Sequence, residues 1–426
     1  MGPMTEAIRP SRPLLRDPLS LLGVFLLALS LHVATAWLVS QRVEMGLLRL
    51  GAFFDAAIYI EIAKSFPLPY AAEGTHYQGH APGYPALIAA FRALTPRAFL
   101  HWGALALLAS WLPASLAAVA FFLLCRELDL EPRWPTLAFV LLNPRWLSVA
   151  STVHAESLAM LLVLAAAIAH LRGQLGWEVA WLAVAGVTRY PALLVGAALA
   201  YGVLVQQRRV ALRSFALLSV PLLGFGLLNL YLYLHIPGFG GMAAAHSVLW
   251  DTYLTWPFHA VFDNAVRWWV AEQPVPGFAL TNLTLLFSLV SVALALRGGD
   301  REDHFLGLWV GVTVLFHVCL AGEWGGYDFP RLALLAWPAA LLIVWRRLLA
   351  ARPLLLRAAA ILGLGVLSLV ATVDIVADAA RWQWASYPMP AHTVRGFRID
   401  TPRWIDFEAL YEKPARRAQK GRAEGR

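Results

Sequence analysis

The sequence predicts an all-α fold, a polytopic transmembrane helical bundle of about 11 spans. Three observations carry that expectation. Apolar residues make up 59% of the 426-residue chain and charged residues only 14%, whereas soluble domains carry roughly a quarter charged residues. The apolar residues fall in long runs separated by short breaks that hold Arg. The runs also lack the period-two alternation of barrel strands, which leaves helices as the way to satisfy the backbone inside lipid.

Taken in order, the first run covers 18–40 and follows Arg9, Arg12 and Arg16. Ala34-Thr35-Ala36 resembles a signal-peptidase site. The run is long for a signal core and more spans follow, so a retained first helix is expected. Further spans are expected at 103–124, 134–150, 153–171, 177–190, 191–206, 211–234, 278–297, 303–322, 329–346 and 354–376. The runs at 177–190 and 191–206 are shorter than the roughly 20 residues of a full crossing. They read either as a tight hairpin in a thinned region or as one bent element. Residues 1–376 thus make the transmembrane module and 377–426 a polar tail. The tail ends in a basic run (Arg416, Arg417, Lys420, Arg422, Arg426) whose composition is that of a disordered segment.

Charge assigns the sides. Arg208, Arg209 and Arg213 form one basic loop, and Arg346, Arg347, Arg352 and Arg357 another; Arg126 with Arg133 and Arg297 with Arg301 mark two more. The positive-inside rule puts these in the cytoplasm, so the first long loop, 41–101, lies outside, as does 235–277. Counting 82–96 as a crossing would put Arg126 and Arg133 outside. It is therefore read as a juxtamembrane or re-entrant helix. The second loop carries Trp250, Trp256, Phe258, Phe262, Trp268 and Trp269, rings suited to the headgroup level, and reads as one or two helices lying on the membrane. The same parity puts the tail outside, against the sense of its charge.

The net charge of +8 is accounted for by Arg at span ends, so no nucleic-acid partner is inferred. Cys125 and Cys319, far apart in sequence, define neither a disulfide framework nor a metal site. Walker-type and dinucleotide glycine loops are absent, as is a Gly-x-Ser-x-Gly elbow. No internal repeat is evident.

One polar island stands out. It runs Phe53-Phe54-Asp55-Ala56-Ala57-Ile58-Tyr59-Ile60-Glu61-Ile62-Ala63 and then His76-Tyr77-Gln78-Gly79-His80-Ala81-Pro82-Gly83-Tyr84-Pro85. A carboxylate among such residues at a membrane surface is costly to keep charged, which points to a task. Asp55 and Tyr59 are spaced i, i+4 and share a face if helical, on a helix half-sunk at the interface. Partial desolvation is expected to raise the Asp55 pKa toward the range of a general base. The alternative is a capping or solvated aspartate.

Asp55 with Tyr59 and Ile62-Ala63, followed by Pro82-Gly83-Tyr84-Pro85 opening an apolar helix, resembles the first outer loop of the GT-C superfamily of integral membrane glycosyltransferases. Within it the pattern is similar to the PIG-V-type mannosyltransferases. Their tryptophan-aspartate start is Phe54-Asp55 here, and their phenylalanine-proline-x-x-proline element is Ala81-Pro82-Gly83-Tyr84-Pro85. Asn143-Pro144 followed by His154-Ala155-Glu156-Ser157 is similar to the family's asparagine-proline and tyrosine-x-glutamate-serine. Thr188-Arg189 is similar to its threonine-arginine pair, with Tyr190-Pro191 where serine or asparagine and glycine are usual. The likeness covers about residues 20–200, and beyond it Phe329-Pro330-Arg331 is similar to a family element.

The resemblance implies a polyprenyl-phosphate or dolichyl-phosphate sugar donor entering from the bilayer, and a lipid, glycan or protein acceptor. Asp55 would deprotonate the acceptor hydroxyl, which displaces the lipid phosphate with inversion. The leaving phosphate calls for bidentate Arg, and Arg189, Arg331 and Arg145 stand at the outer ends of their spans; snorkelling is the other reading, above all for Arg145. Glu156, with His154 before it, orients either the acceptor or a clamp Arg, or is an acid favoured in a helix's first turn. Tyr59, Tyr84, His76, His80 and Asp328 are expected to contact substrate; Glu323, Tyr327 and Asp328 otherwise pair with Arg331. His76 and His80, at i, i+4, would suit a divalent metal if helical, but Gly74, Gly79 and Pro82 argue for a loop, so no cofactor is expected. The setting inferred is a bacterial inner membrane with the site on the outer face. Two other classes remain: a transporter or flippase of lipid-linked sugars, against which the lack of repeats or obviously broken helices counts, and a non-catalytic scaffold that would not need Asp55.

Overall fold

A computed structural model describes residues 18–52, 55–66, 80–95, 101–207, 212–235, 253–259, 276–298, 300–321 and 329–386. Among these residues the chain is helical apart from one two-residue antiparallel pairing, β1 (Tyr253–Leu254) with β2 (Leu320–Ala321). Residues up to Ile375 form one compact unit, and Val376–Arg426 a second, whose described part is helical through Ser386. Everything below concerns the first unit.

Among the described residues six helices are long and apolar enough to cross a membrane: those covering Pro18–Arg42, Trp102–Glu127, Leu212–His235, Leu280–Gly298, Pro330–Leu349 and Leu354–Ala377. A bent pair, Pro144–Ser151 with Glu156–Leu171, makes a seventh if counted as one span. The other expected spans fall on shorter or more charged helices. Arg133–Leu141 has 9 residues, Leu175–Thr188 has 14, and Arg301–Val318 carries Glu302 and Asp303 in its first turn. The bent pair turns through 112°, so a broken helix is present where the sequence suggested none. Thr152, Val153 and His154 form the break, and Asn143 with Pro144 starts the short arm. The Asn143 side chain accepts from the Arg145 and Trp146 amides, and Pro144 occupies the first helical position, where its missing N–H costs nothing.

Helices are numbered in chain order: α1 (Pro18–Arg42), α2 (Leu47–Leu50), α3 (Asp55–Ser65), α4 (Gly83–Leu94), α5 (Trp102–Glu127), α6 (Arg133–Leu141), α7 (Pro144–Ser151), α8 (Glu156–Leu171), α9 (Leu175–Thr188), α10 (Ala192–Gln207), α11 (Leu212–His235), α12 (Pro276–Gly298), α13 (Arg301–Val318), α14 (Phe329–Leu332), α15 (Trp337–Val344) and α16 (Leu354–Ser386). A 3-10 turn, Ala333–Ala336, joins α14 to α15, and a π turn, Trp345–Leu349, follows α15. α5 and α8 form the centre, with α1 against α5, α9 and α10 against α8, α13 against α10, and α15 against α13. In α5, 67% of the apolar window is buried, against 17% in α11 and α16. Those two and α12 turn leucines such as Leu223, Leu283 and Leu367 outward, as expected of a face solvated by lipid.

Small contacts fix the elements that matter below. Phe139 stacks on Phe121 at 4.5 Å and packs against Trp146 at 5.2 Å. Trp111 Nε1 of α5 donates to the Ser151 carbonyl at 3.0 Å, just before the break. Trp309 Nε1 of α13 donates to the Leu335 carbonyl at 3.0 Å, next to α14. Gly51 lies against the start of α5, where an added Cβ would stand 2.2 Å from the Gly103 carbonyl oxygen. Only glycine permits that approach, and it places the chain four residues before Asp55.

α4 has 12 residues, about 18 Å, too short for a crossing. The described part of the second outer loop, 253–259, is a strand and turn rather than a surface helix, held by amides of Thr255 and Phe258 donating to the carbonyls of Cys319 and Val318. Trp256 and Phe258 are exposed there. Trp250, Phe262, Trp268 and Trp269 lie outside the described residues, as does the tail beyond Ser386.

Candidate active site

Asp55 is the first residue of α3, so its carboxylate sits where a helix favours negative charge. α3 is less interfacial than its sequence suggests. Ala56 through Ile60, Ile62 and Ala63 are buried, with Ile58 and Ile62 in a cluster with Ala81 and Leu232. The site is thereby walled by protein on several sides.

Four charged groups from distant parts of the chain meet here. Arg331 of α14 donates through Nη2 to Asp55 Oδ2 at 2.5 Å and through Nε to Glu156 Oε1 at 2.5 Å. Arg189, which caps the end of α9, donates through Nη2 to the same Glu156 oxygen at 2.7 Å. Glu156 is 1% exposed, and its second oxygen, Oε2, has no partner. The break before α8 makes this possible: it directs the first residue of that helix into the centre of the site. Glu156 therefore orients both guanidinium groups.

The expected rise in the Asp55 pKa does not occur. Burial pushes the carboxyl upward, but the Arg331 guanidinium, helped by His80 and His154, outweighs it and holds Asp55 below the usual carboxylate range. Asp55 and Tyr59 share a helical face as the spacing predicts. Burial first and the Asp55 charge second raise the Tyr59 phenol, so it keeps its proton.

Around the charges lies an aromatic and hydroxyl wall. Tyr59 meets His80 edge-on at 5.2 Å and Tyr84 at 5.0 Å. Tyr84 is fully buried; its hydroxyl donates to the Ala106 carbonyl at 3.1 Å and shares a 2.6 Å hydrogen bond with Ser110. Both bonds tie α4 to α5. Ser110 in turn accepts from the His154 amide at 3.1 Å. Gly83 explains how α4 reaches the end of α9: a Cβ there would stand 2.4 Å from Thr188 Oγ1. The Pro-Gly-Tyr-Pro element thus seats α4 beside Arg189.

His154 is set by its neighbours. The Thr152 hydroxyl donates to the Ser148 carbonyl at 2.7 Å, so its oxygen accepts from His154 Nδ1 at 2.9 Å. The His154 ring is near enough to Asp55 and Arg331 for their charges to act on it, and so is Arg145. Arg145 is buried in the first turn of α7. His76 and Asp328, with Glu323 and Tyr327, lie outside the described residues. Among the described residues no group of three or more His, Cys, Asp or Glu gathers as metal ligands would.

Sequence reasoning overlooked His317 and Thr313, both buried near the end of α13, and the hydroxyl supports Ser110 and Thr152. The signal for the first two was a polar i, i+4 pair inside an otherwise apolar run. No known protein family matches the chain, and no curated protein matches it.

Proposed function

We propose that the chain is a GT-C-type membrane glycosyltransferase. It moves one sugar, mannose being the first to test, from a polyprenyl-phosphate-linked donor to a lipid, glycan or protein acceptor. In this reading the bundle makes about 11 passes in a bacterial inner membrane, counting the shorter helices, with the site on the outer face. The observation that carries the reading is Arg331, which bridges Asp55 and Glu156 while Arg189 holds the same Glu156 oxygen. Such an arrangement suits a reaction that needs a carboxylate base and a phosphate clamp side by side.

The chemistry balances in charge. Two guanidinium groups meet two carboxylates, and Arg145 adds a positive charge beside His154. A donor phosphodiester brings one negative charge to these guanidinium groups. The phosphate then competes with Asp55 for Arg331 Nη2, while Nε stays on Glu156. Asp55, released from its partner, recovers the basicity that the pair suppresses. The acceptor oxygen attacks the anomeric carbon, the carbon–phosphate-oxygen bond breaks with its electron pair on the phosphate, and the acceptor's proton passes to Asp55. The phosphate gains one negative charge as Asp55 loses one. Two guanidinium groups next to the departing oxygen stabilise that charge where it develops.

The test is incubation of the purified protein with a panel of polyprenyl-phosphate sugars, following release of lipid phosphate and inversion in the product. Transfer is expected with at least one donor, unaffected by chelation. The rival reading, a transporter of lipid-linked sugars, draws on the 112° break at the start of α8, because transporters bind cargo at such breaks. It predicts movement of intact phosphosugar between leaflets with no release of lipid phosphate.

A further inference from the structure

We infer that Thr313 and His317, on the last turns of α13, form a subsite for hydroxyl groups of the transferred sugar. This rests on the glycosyl-transfer reading above and adds the place where the sugar, rather than the phosphate, is recognised.

Both residues are buried, at 0% and 1% exposure, and their i, i+4 spacing puts them on one face of α13. His317 Nδ1 lies 2.6 Å from the Thr313 backbone carbonyl. A carbonyl oxygen only accepts, so Nδ1 carries the hydrogen. In the neutral ring the other nitrogen, Nε2, then presents a lone pair. Nε2 is enclosed and has no hydrogen-bond partner, and the same holds for Thr313 Oγ1. Two buried polar atoms left unpaired on one face are costly. They mark a place that a ligand completes.

The location agrees. Arg189 stands close enough for its charge to act on the His317 ring. α13 packs against α10, which follows Arg189, and against the 3-10 turn that follows Arg331. His317 thus lies near Arg189, on a helix packed against the elements next to both clamp arginines. Its chemistry selects the ligand. A phosphate oxygen would meet a lone pair at Nε2, and an ammonium would meet the charge of Arg189. A hydroxyl satisfies both atoms, donating to Nε2 and accepting from the Thr313 hydroxyl. Side chains one turn apart, about 5–6 Å between Cβ atoms, match two hydroxyls of one hexose ring.

The experiment has two arms on the full chain in nanodiscs. In the first, affinities are measured for a polyprenyl-phosphate hexose and for the bare polyprenyl phosphate. Wild type is expected to prefer the phosphosugar. Thr313→Val and His317→Leu should each lose about tenfold of that preference, one hydrogen bond's worth, while bare lipid phosphate binds as before. His317→Gln, which restores an acceptor, should recover part of it. In the second arm the histidines carry ¹⁵N, and octyl glucoside or octyl mannoside is titrated against octyl phosphate. The hexosides should move the His317 Nε2 resonance upfield, and Thr313→Val should weaken that response; octyl phosphate should leave it in place. If the lipids bind but the variants keep the full preference, or the hexosides leave Nε2 unmoved, the subsite is refuted. If Nε2 answers the hexosides but no lipid phosphate binds, the subsite stands and the lipid-phosphate donor falls. If neither probe acts, both ideas fall.

Discussion

α8 has a polar cluster at each end, and the two are built differently. At its start, Glu156 joins Arg189, Arg331 and Asp55; fourteen residues on, about 21 Å away, His170 Nδ1 meets Glu178 at 2.6 Å and Arg213 holds the same Glu178 at 2.8 Å. The second end is continued by Arg172 on Glu127 and by Arg346 and Arg347 on Asp300 and Asp303. There the acids and bases sit at helix ends, as where Asp300 caps α13 and the two arginines follow α15. Their partners lie 8 to 47 residues apart, between helices near in sequence. At the Glu156 end the partners are separated by 33, 175 and 276 residues. One end ties neighbouring helices together. The other gathers remote elements around one carboxylate, so its geometry depends on the whole bundle rather than on one pair of neighbours.

The comparison can be broken by experiment. The largest effect expected is at Asp55: Asp55→Asn should cut transfer by about a thousandfold and leave expression and membrane insertion intact, read from lipid phosphate release and from yield in the membrane fraction. Retained activity would remove Asp55 as the base. At the opposite end, Glu178→Gln should cost about 2 kcal/mol of stability, because it leaves the half-buried Arg213 guanidinium without its counter-charge; thermal unfolding should register this while transfer per folded molecule stays level. Arg331→Ala and Arg189→Ala should each lower donor use by about a hundredfold. Because both arginines bond one Glu156 oxygen, the double variant should lose less than the sum of the two, as measured in a double-mutant cycle.

The smallest effect concerns pH. The folded Asp55 pKa lies below its unfolded value near 3.8. Its stabilising contribution is therefore present above that value and lost only as pH falls through the lower, folded one. The stability gap between wild type and Asp55→Asn should stay constant from neutral pH down to about pH 5 and close only in stronger acid. A gap that closes near neutrality would mean the Arg331 pair does not hold.

Much of the helical bundle was legible because long apolar runs report helices directly, and Asp55 stood out as an acid among aromatic residues. What the runs did not report was direction: residues 134–171 read as two ordinary spans, whereas the chain turns sharply at 152–155. The sign of the Asp55 pKa was missed for a related reason. Desolvation can be read from neighbours in sequence, but the guanidinium that outweighs it arrives from residue 331. His317 was hidden by its surroundings, since one imidazole in an apolar run reads as core until its unpaired nitrogen is seen.

The distance in sequence between Asp55 and Arg331 bears on how the protein is made. Both acids emerge from the ribosome well before the helix that supplies their common counter-ion, and until then Arg189 is the bonded guanidinium already made. A chain halted before residue 331 would retain an unbalanced acidic centre, so assembly of this cluster waits on delivery of that late segment.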